Sequence, residues 1–413
     1  MRRYLDQIDQ AAEADRWAIA RGFIFDEPLP FYEELRMHRP VLDLPEVTIV
    51  ANHADCAEIL RRHQLFSVAL YKPKQGEYWM ADDDTPNHWR EKGLMKAILD
   101  REDLPKIRDW VAEDTARRIA EAGCSFDAIP AITRAVPTGL VQEWFGFDGA
   151  NAEDLIRWSY WNQMDAFWNQ PHDSIVVDDP QKIIDEREKG NAEMRTYLGG
   201  LVKQKIGAIK GGAKPTDPVS RTLILALSGA VNHFDITRAV FNIGGLLIGT
   251  VETTSHAVVN ALDYLTSNRE LAERARTAAA CDDRAAFDGY VFEALRFHPP
   301  FKYFFRVAED DAIVARGSAH ETVVPRGKTA LAITHSAMFD ASAYKHPYHF
   351  DPSRDGANTF LFGQGLHECL GFAIGGVMIP EMVRQALLTE GLTTGKVDRK
   401  GGPVPEAWEW TKG

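Results

Sequence analysis

The chain has 413 residues, enough for one large domain or two ordinary ones, and its 45% hydrophobic and 26% charged residues are typical of a globular protein. A formal net charge of −13 argues against nucleic-acid or anionic-membrane binding through the overall field. The N-terminus is polar, and the longest uncharged runs, 222–234 and 239–251, are shorter than the roughly 20 residues of a membrane-spanning helix. We therefore expect a cytoplasmic protein without nucleic-acid or membrane partners.

Helical periodicity dominates the chain. Apolar residues recur at helical spacing over 52–62, 87–99, 104–122, 132–145, 181–209, 236–265, 269–280, 284–297 and 372–388. Strand-like runs are few and short, at 47–51, 313–315, 322–324 and 329–334. No long linker divides the chain. The pattern predicts a mainly α protein with a small β region, in a single domain over residues 1–413.

The region 301–371 has little helical periodicity, and so long a non-helical stretch in a compact domain is usually functional. The four cysteines, Cys56, Cys124, Cys281 and Cys369, are far apart and form no CxxC pair. This spacing argues against a disulfide framework or an iron–sulfur cluster. A cysteine with a chemical role would act alone.

Cys369 lies in the stretch FGQGLHECLG, which runs from Phe362 to Gly371. Glycines permit tight backbone turns and close approach to a flat ligand. The predicted helix 372–388 begins just after Cys369, and backbone N–H groups at a helix N-terminus favour a thiolate. A lone cysteine is usually a buried structural residue, but the surrounding glycines, Phe362 and His367 favour an iron ligand here.

The predicted helix 236–265, with Asp235 as N-cap, would be long enough to cross the whole domain. It is mostly apolar, yet one stripe within about 100° is small and polar. In this stripe Glu252 and Thr253 form an acid–alcohol pair that could relay protons into a pocket. The alternatives are a water-filled packing defect or a buried ion pair. The stripe consists of Asn242, Gly245, Gly249, Glu252, Thr253, His256 and Asn260.

Two further pairs have helical spacing. Glu293 and Arg296 are three residues apart, a spacing that is often just a solvated salt bridge. His88 and Lys92 are four residues apart near a predicted helix start, where two cationic groups on one face could hold carboxylates or simply face solvent. Each pair alone is a weak signal.

Together these four motifs resemble those of the cytochrome P450 family, the haem-thiolate monooxygenases, over roughly residues 30 to 400. The resemblance implies the P450 fold, with haem b between the long central helix and the cysteine loop. It also implies a monooxygenase that uses O2, a small organic substrate and a separate ferredoxin-type electron donor, and we expect a monomer.

The resemblance further implies a role for each matched position. Cys369 would be the axial thiolate and iron ligand, with Phe362 beside it, and Glu293–Arg296 would lock the structure behind the haem. Glu252 and Thr253 would deliver protons to oxygen. The haem propionates would be held by His88, Lys92, Arg306 and His367. The residues nearest the substrate would be Gly249, Phe301, Lys302 and Tyr303.

The chain departs from the family pattern at several positions. Lys92 stands where the family usually has arginine, so a bidentate clamp becomes a point charge. Thr250 replaces a common glycine in the oxygen-binding segment. Gly376 and Met378 replace common Arg and Glu residues after the cysteine, and Pro380 is expected to interrupt the helix there. The sequence therefore does not define the surface on which the electron donor docks.

Two aromatic-rich segments flank the expected substrate entrance, the alternative for each being ordinary packing, and an apolar or aromatic substrate is the default expectation for such a pocket. They contain Tyr71, Tyr78, Trp79 and Met80, and Trp158, Tyr160, Trp161, Phe167 and Trp168. A cluster of basic residues in the acidic chain is a candidate docking patch for the electron donor, the alternative being a solvated face. It comprises Arg90, Lys92, Lys96, Arg101, Lys106 and Arg108.

Three alternative functions remain at this point. The residues His346, His349, His367 and Cys369 provide a zinc-type ligand set, although their spacing fits no regular zinc motif. A non-catalytic haem sensor would have no need for an acid–alcohol pair. A peroxide-using or peroxide-rearranging relative typically carries an arginine–proline arrangement where this chain keeps Glu252 and Thr253.

Overall fold

The computed structural model describes residues 3–174, 176–356 and 359–413. Its α-helices are α1 (Tyr4–Gln10), α2 (Arg16–Asp26), α3 (Pro28–His38), α4 (His53–Arg61), α5 (Lys72–Gln75), α6 (Pro86–Ile98), α7 (Leu104–Glu121), α8 (Ala135–Glu143), α9 (Ala152–Gln163), α10 (Pro180–Lys210), α11 (Pro218–Ser228), α12 (Ile236–Thr266), α13 (Arg269–Ala280), α14 (Arg284–Phe297), α15 (Thr334–Ala337) and α16 (Phe372–Leu388). The strands are β1 (Val41–Asp43), β2 (Val47–Val50), β3 (Phe66–Ser67), β4 (Ser125–Asp127), β5 (Phe304–Ala308), β6 (Ala312–Val314), β7 (Thr322–Val324), β8 (Thr329–Ala332), β9 (Leu392–Thr394) and β10 (Glu409–Lys412). Short π-helical turns occupy Ile129–Thr133 and Met164–Trp168.

Helix α12 runs through the middle of the largest apolar cluster. The Asp235 carboxylate caps it by accepting a hydrogen bond from the Arg238 backbone N–H at 2.9 Å. Its 31 residues extend about 46 Å at 1.5 Å each. The helix packs against α8, α9, α11, α14 and α16, and side chains such as Leu247 and Val251 are fully buried. A helix surrounded in this way is apolar on nearly all sides.

The β region lies beside this helical core. The larger sheet has the order β1-β2-β8-β5-β3, in which β2 pairs with β8 in parallel and the other neighbours are antiparallel. In it Arg306 lies opposite Ala330. A three-stranded sheet, β4-β10-β9, joins the C-terminus to the end of α7, and β6 and β7 form a hairpin. Strand β5 leads from α14 and carries Arg306 to the site described below.

The predicted mainly α fold with a small β region is confirmed, and the predicted helices after residue 180 fall within one or two residues of their observed bounds. The helices α1–α3, α5, α9, α11 and α15 were not predicted. The helix expected over 132–145 instead begins with a π-helical turn before α8. Within the described residues, no helix is long and apolar enough to cross a membrane.

The expectation that Pro380 interrupts the last helix is wrong, because α16 continues through it to Leu388. Proline removes one backbone donor, so only one helical hydrogen bond is lost. The flanking side chains Met378, Met382 and Val383 are buried in the core. Burial of this apolar face holds the helix together, since most helical stability in proteins comes from tertiary packing.

Candidate active site

A cavity of about 280 Å³ lies between the middle of α12 and the loop that precedes α16. This volume is close to the lower end of typical small-molecule sites. Gly249 and Thr253 line it from α12, and Phe362 and Cys369 line it from the opposite side. The cavity therefore brings together the two sequence motifs that are more than 100 residues apart in the chain.

The loop carrying Cys369 is held by its own backbone. The Cys369 N–H donates to the Phe362 carbonyl oxygen at 2.8 Å, which closes the loop. Gly365 has a φ of +75°, and a β-carbon there would lie 2.6 Å from the Leu60 carbonyl oxygen, so only glycine fits. Burial raises the pKa of the Cys369 thiol, while the nearby Lys92 charge opposes this shift. The loop presents one sulfur atom to the cavity.

His88 and Lys92 of α6 contact the backbone of the cysteine loop and do not line the cavity. The Lys92 ammonium donates to the carbonyl oxygens of Leu366 and Glu368, the latter at 2.9 Å. His88 Nε2 lies 3.2 Å from the same Leu366 oxygen. Burial lowers the pKa of Lys92 to about 8. In this structure both residues thus hold the loop through its backbone carbonyls, outside the cavity lining.

Arg306 and His367 do line the cavity, and both have unused hydrogen-bonding capacity. Arg306 is 5% exposed and donates to the Phe305 carbonyl at 2.8 Å, but no carboxylate among the described residues lies within ion-pair distance. His367 Nε2 lies 3.1 Å from the Asp83 carboxylate, and its buried Nδ1 has no partner among the described residues. A buried cation without an anion is costly. The pair therefore fits a ligand that carries carboxylates, as haem does.

Glu293 and Arg296 form a buried, bidentate ion pair rather than a solvated one. The Arg296 guanidinium donates to both Glu293 carboxylate oxygens at 2.7 and 2.8 Å and to the Met338 carbonyl at 3.0 Å. Arg354 and the Asp351 backbone N–H also donate to Glu293, at 3.1 and 3.0 Å. The pair thus ties α14 to the segment that leads towards the cysteine loop.

Glu252 and Thr253, although adjacent, point into different surroundings. The Thr253 hydroxyl lines the cavity and donates to the Gly249 carbonyl at 2.7 Å. Glu252 is outside the cavity lining, where its carboxylate lies 2.9 Å from the Arg134 guanidinium. Arg134 also lies 3.4 Å from Glu406. Burial raises the pKa of Glu252 to about 7. The buried ion pair, one of the alternatives for this stripe, is therefore present.

The ends of the polar stripe also contact protein rather than the cavity. Asn242 donates to the buried Glu91 carboxylate at 2.7 Å. Arg399, from the C-terminal segment, donates to Asn260 at 2.8 Å and lies 3.2 Å from His256 Nε2. Neither Arg134 nor Arg399 was singled out from the sequence, because nothing local marks a residue as the partner of a distant one.

The prediction that Phe301 to Tyr303 lie nearest the substrate needs correction at two positions. Phe301 lines the cavity, as does Gly249. Lys302 instead places its Nζ 5.6 Å from the Phe25 ring centroid, and the Tyr303 hydroxyl lies 3.4 Å from Asp173. Neighbouring side chains of this extended segment point in different directions, so only some of them reach the cavity. Burial lowers the pKa of Lys302 to about 8.

The two aromatic-rich segments likewise contain some residues that line the cavity and others that pack against protein. From them Tyr71, Tyr78, Met80 and Phe167 line the cavity. Others serve packing, such as Trp168, which stacks on Phe301 at 5.8 Å. The candidate basic patch is largely compensated by acids: Arg108 pairs with Asp288 at 2.6 Å, and Lys96 lies 3.6 Å from Glu368.

The zinc alternative finds no geometric support. Within 3–174, 176–356 and 359–413, no group of three or more His, Cys, Asp or Glu side chains is arranged to hold a metal ion. The His346 and His349 side chains therefore do not join His367 and Cys369 in one ligand set. A single thiolate ligand remains compatible with this geometry.

Comparison with known proteins agrees with this site. The family model described as Cytochrome P450 matches residues 179–388. Erythromycin C-12 hydroxylase of Saccharopolyspora erythraea is 25% identical over 330 residues, covering 78% of this chain and 76% of that protein. Steroid C26-monooxygenase of Mycolicibacterium smegmatis is 24% identical over 350 residues, covering 82% and 80%. The solved structure of the cytochrome P450 enzyme CYP109B1 from Bacillus subtilis matches with a TM-score of 0.73 at 18% identity, covering 93% of this chain and 99% of that one.

The chain therefore belongs to the cytochrome P450 family. It is a P450 monooxygenase, an oxidoreductase whose cofactor is haem b. The expectations for family, fold and cofactor are thereby confirmed.

Proposed function

We propose that this monooxygenase inserts one oxygen atom from O2 into a small apolar or aromatic substrate and takes its electrons from a separate ferredoxin-type protein. The observation that carries the proposal is one cavity with the Cys369 sulfur on one wall and Thr253 on the other. Most of the remaining lining is apolar, including Leu246, Phe301 and Phe304. The relatives named above are a hydroxylase of erythromycin and a monooxygenase of steroids, which supports C–H oxidation here.

The cavity residues fit haem b. Cys369 would ligate the iron as a thiolate, with Phe362 beside it. Arg306 and His367 would hold the propionates, which would relieve the buried, unpaired charge of Arg306. His88 and Lys92 would keep the cysteine loop in place from behind. When bound, the iron activates O2, and electron donation from the thiolate favours O–O cleavage.

The residues of α12 would handle protons. The Thr253 hydroxyl donates to the Gly249 carbonyl, so its oxygen remains available to accept a hydrogen bond in the cavity. Glu252, with a pKa of about 7, holds a proton part of the time near neutral pH. Arg134 links it to Glu406, which accepts a hydrogen bond from the Tyr160 hydroxyl at 2.7 Å. This network would hold the Glu252 carboxyl next to Thr253 but outside the cavity lining. From there it would supply protons to the Thr253 hydroxyl.

Two measurements test the proposal. The reduced carbon-monoxide complex should show the red-shifted Soret band of thiolate ligation, and Cys369→His should abolish it while the matched change of another buried cysteine, Cys56→Ser, should not. With ferredoxin, its reductase and ¹⁸O2, the product should carry one heavy oxygen atom. Product that forms with peroxide but never with O2 and electrons would support the peroxide-using alternative, and haem binding without any turnover would support a sensor.

A further inference from the structure

We propose that Lys302, His298 and His335 form a binding site for a small oxyanion that carries a proton, of which bicarbonate is the simplest example. None of the three side chains lines the cavity between α12 and the cysteine loop. The proposal therefore concerns a second site, and it does not depend on the proposed function.

His335 holds the three residues in one corner of the fold. Its ring Nε2 lies 3.0 Å from the Phe297 carbonyl oxygen at the end of α14, and its backbone N–H donates to the Lys302 carbonyl oxygen at 3.0 Å. These two hydrogen bonds bracket the short connection from α14 to β5, which contains His298. The corner is accessible from solvent, because His298 and Lys302 are only partly buried.

Positive charge collects in this corner without an acid that pairs with it. In the described part of the chain, the Lys302 ammonium has no hydrogen bond and no carboxylate within ion-pair distance. The charge of Arg399 also acts on Lys302, and the hydrogen bonds of Arg399 go to neutral acceptors such as Asn260. The acid that influences Lys302, Asp26, is exposed at the end of α2. Because burying cations without a counter-charge is costly, an anion would stabilise this corner.

The two histidines provide different hydrogen-bonding groups. Neutral His335 donates through Nε2 to the Phe297 carbonyl, so its buried Nδ1 is left as an acceptor, and that atom has no partner among the described residues. The ring of His298 likewise makes no hydrogen bond within the described ranges, and a neutral imidazole keeps one N–H donor. Burial and the Lys302 charge lower the pKa of His298 to about 4 and also lower the pKa of His335. Both rings are therefore neutral near neutral pH.

This set of groups selects the kind of anion. Lys302 and His298 can donate to oxygen atoms that carry negative charge, whereas Nδ1 of His335 needs a donor. A halide or nitrate ion has no proton to donate, so it would leave Nδ1 unpaired, and an unpaired buried acceptor is costly. Bicarbonate carries acceptor oxygens and one O–H group on a small planar frame. With bicarbonate bound, each of the three side chains would have a partner.

The test compares bicarbonate with nitrate, a planar anion of the same charge and similar size that lacks the hydroxyl group. The excess NMR linewidth of ¹³C-labelled bicarbonate with the purified holoenzyme, at constant ionic strength near neutral pH, gives its Kd. Competition with nitrate gives the Kd of nitrate. In the wild type the broadening should saturate, and nitrate should bind about 5- to 10-fold more weakly, the value of one neutral hydrogen bond.

Substitutions assign the binding to this corner. Lys302→Met should weaken both anions at least about 10-fold, the value of one hydrogen bond to a charged group. His335→Phe should bring the Kd of bicarbonate to the nitrate value and leave that of nitrate unchanged. Asp26→Asn removes a negative charge near Lys302 and should tighten the binding of both anions. Lys182→Met, at an exposed position of α10, controls for the loss of one positive charge and should match the wild type.

Each contrary outcome would overturn the site. Broadening that does not saturate in the wild type would mean that no specific binding occurs, and equal Kd values for the two anions would remove the role of His335. Saturable binding that persists in Lys302→Met, or weaker binding in Asp26→Asn, would place the anion elsewhere. Lys302→Met and Asp26→Asn change residues that are not fully buried, so they decide the matter even where His335→Phe does not fold. All these outcomes leave the monooxygenase assignment intact, because none of the measurements involves turnover.

Discussion

The cysteine loop and the polar stripe of α12 face each other across one cavity, yet they relate to sequence in opposite ways. In the loop, a backbone hydrogen bond joins Cys369 to Phe362, and the motif around Cys369 led directly to the cavity wall. In the stripe, seven residues of similar appearance separate into cavity-lining and structural members. Glu252 and Asn260 bind arginines from distant parts of the chain.

The length of α12 and the direction in which each side chain points together explain the difference. The helix extends about 46 Å, whereas only its stretch from Gly245 to Ala257, about 18 Å, lines the cavity. Polar residues beyond that stretch meet protein and need partners, because unpaired buried polar groups are costly. A polar stripe on a buried helix therefore indicates function only along the stretch that borders a cavity, and there only for side chains that face it, since Glu252 and His256 lie within this stretch but outside the lining.

The largest effect on stability is expected at Glu293, whose ion pair ties α14 to the segment that leads towards the cysteine loop. Its carboxylate accepts hydrogen bonds from Arg296, Arg354 and the Asp351 backbone. Glu293→Ala would leave buried guanidinium charge unpaired and should lower the free energy of unfolding by about 3–5 kcal/mol. Urea unfolding measures this change. Glu270→Ala, at an exposed helix position, is the control and should change stability by less than about 0.5 kcal/mol. A similar loss in both variants would contradict the role of the Glu293 network.

On the cavity side of the stripe, Thr253→Ala should uncouple electron use from oxidation. Without the hydroxyl, the proposed proton path loses its last member, so product formation should fall about 100-fold, the lower end of the range for proton-transfer catalysis, while hydrogen peroxide accumulates. NADH consumption, product and peroxide are measured together. Thr250→Ala removes a hydroxyl with the same type of backbone hydrogen bond and is the control. Equal uncoupling in both variants would contradict a specific role for Thr253.

Glu252 is both the ion-pair partner of Arg134 and the proposed proton source for Thr253. Its pH dependence tests both roles. Burial raises its pKa to about 7, so the protonated donor is lost, and turnover should fall, as pH rises through about 7. Glu252→Gln should lower turnover below pH 7 and remove this pH step. The same shift predicts that its contribution to stability is complete below the unfolded pKa near 4.3 and declines as pH rises through about 7. Profiles of turnover and of urea midpoint between pH 5 and 8 check both effects. A turnover step at pH 7 that persists in Glu252→Gln would assign it to another group.

The features that could be predicted from the sequence are those marked by residues adjacent in the chain. The features that could not be predicted depend on contacts with distant residues. Helix α14 could be predicted from the helical period of neighbouring residues. The cysteine motif could be predicted from glycines that lie close to Cys369 in the chain. Strand β5 was missed because its partners β3 and β8 lie far away in the chain, and α9 was missed because its aromatic residues obscure the helical period before the π-helical turn. The orientation of Lys302 depended on Phe25, and that of Glu252 on Arg134. Sequence spacing contains no information about such contacts.

The smallest effect is expected at the far end of the stripe, where Arg399 joins the C-terminal segment to α12. Its guanidinium donates to Asn260 and to the Pro403 carbonyl at 2.8 and 2.9 Å. Arg399→Met keeps much of the apolar stem and removes these charged hydrogen bonds, so unfolding free energy should fall by about 1.5 kcal/mol.

Because His256 and Asn260 lie outside the cavity lining, the ratio of product to consumed NADH should stay at the wild-type value in Arg399→Met. Arg276→Met, at an exposed position of α13, controls for the loss of one positive charge. Increased peroxide in Arg399→Met alone would mean that this end of the stripe also serves oxygen chemistry. The boundary between the cavity-lining and structural parts of α12 would then have to move beyond Ala257, towards the C-terminal end of the helix.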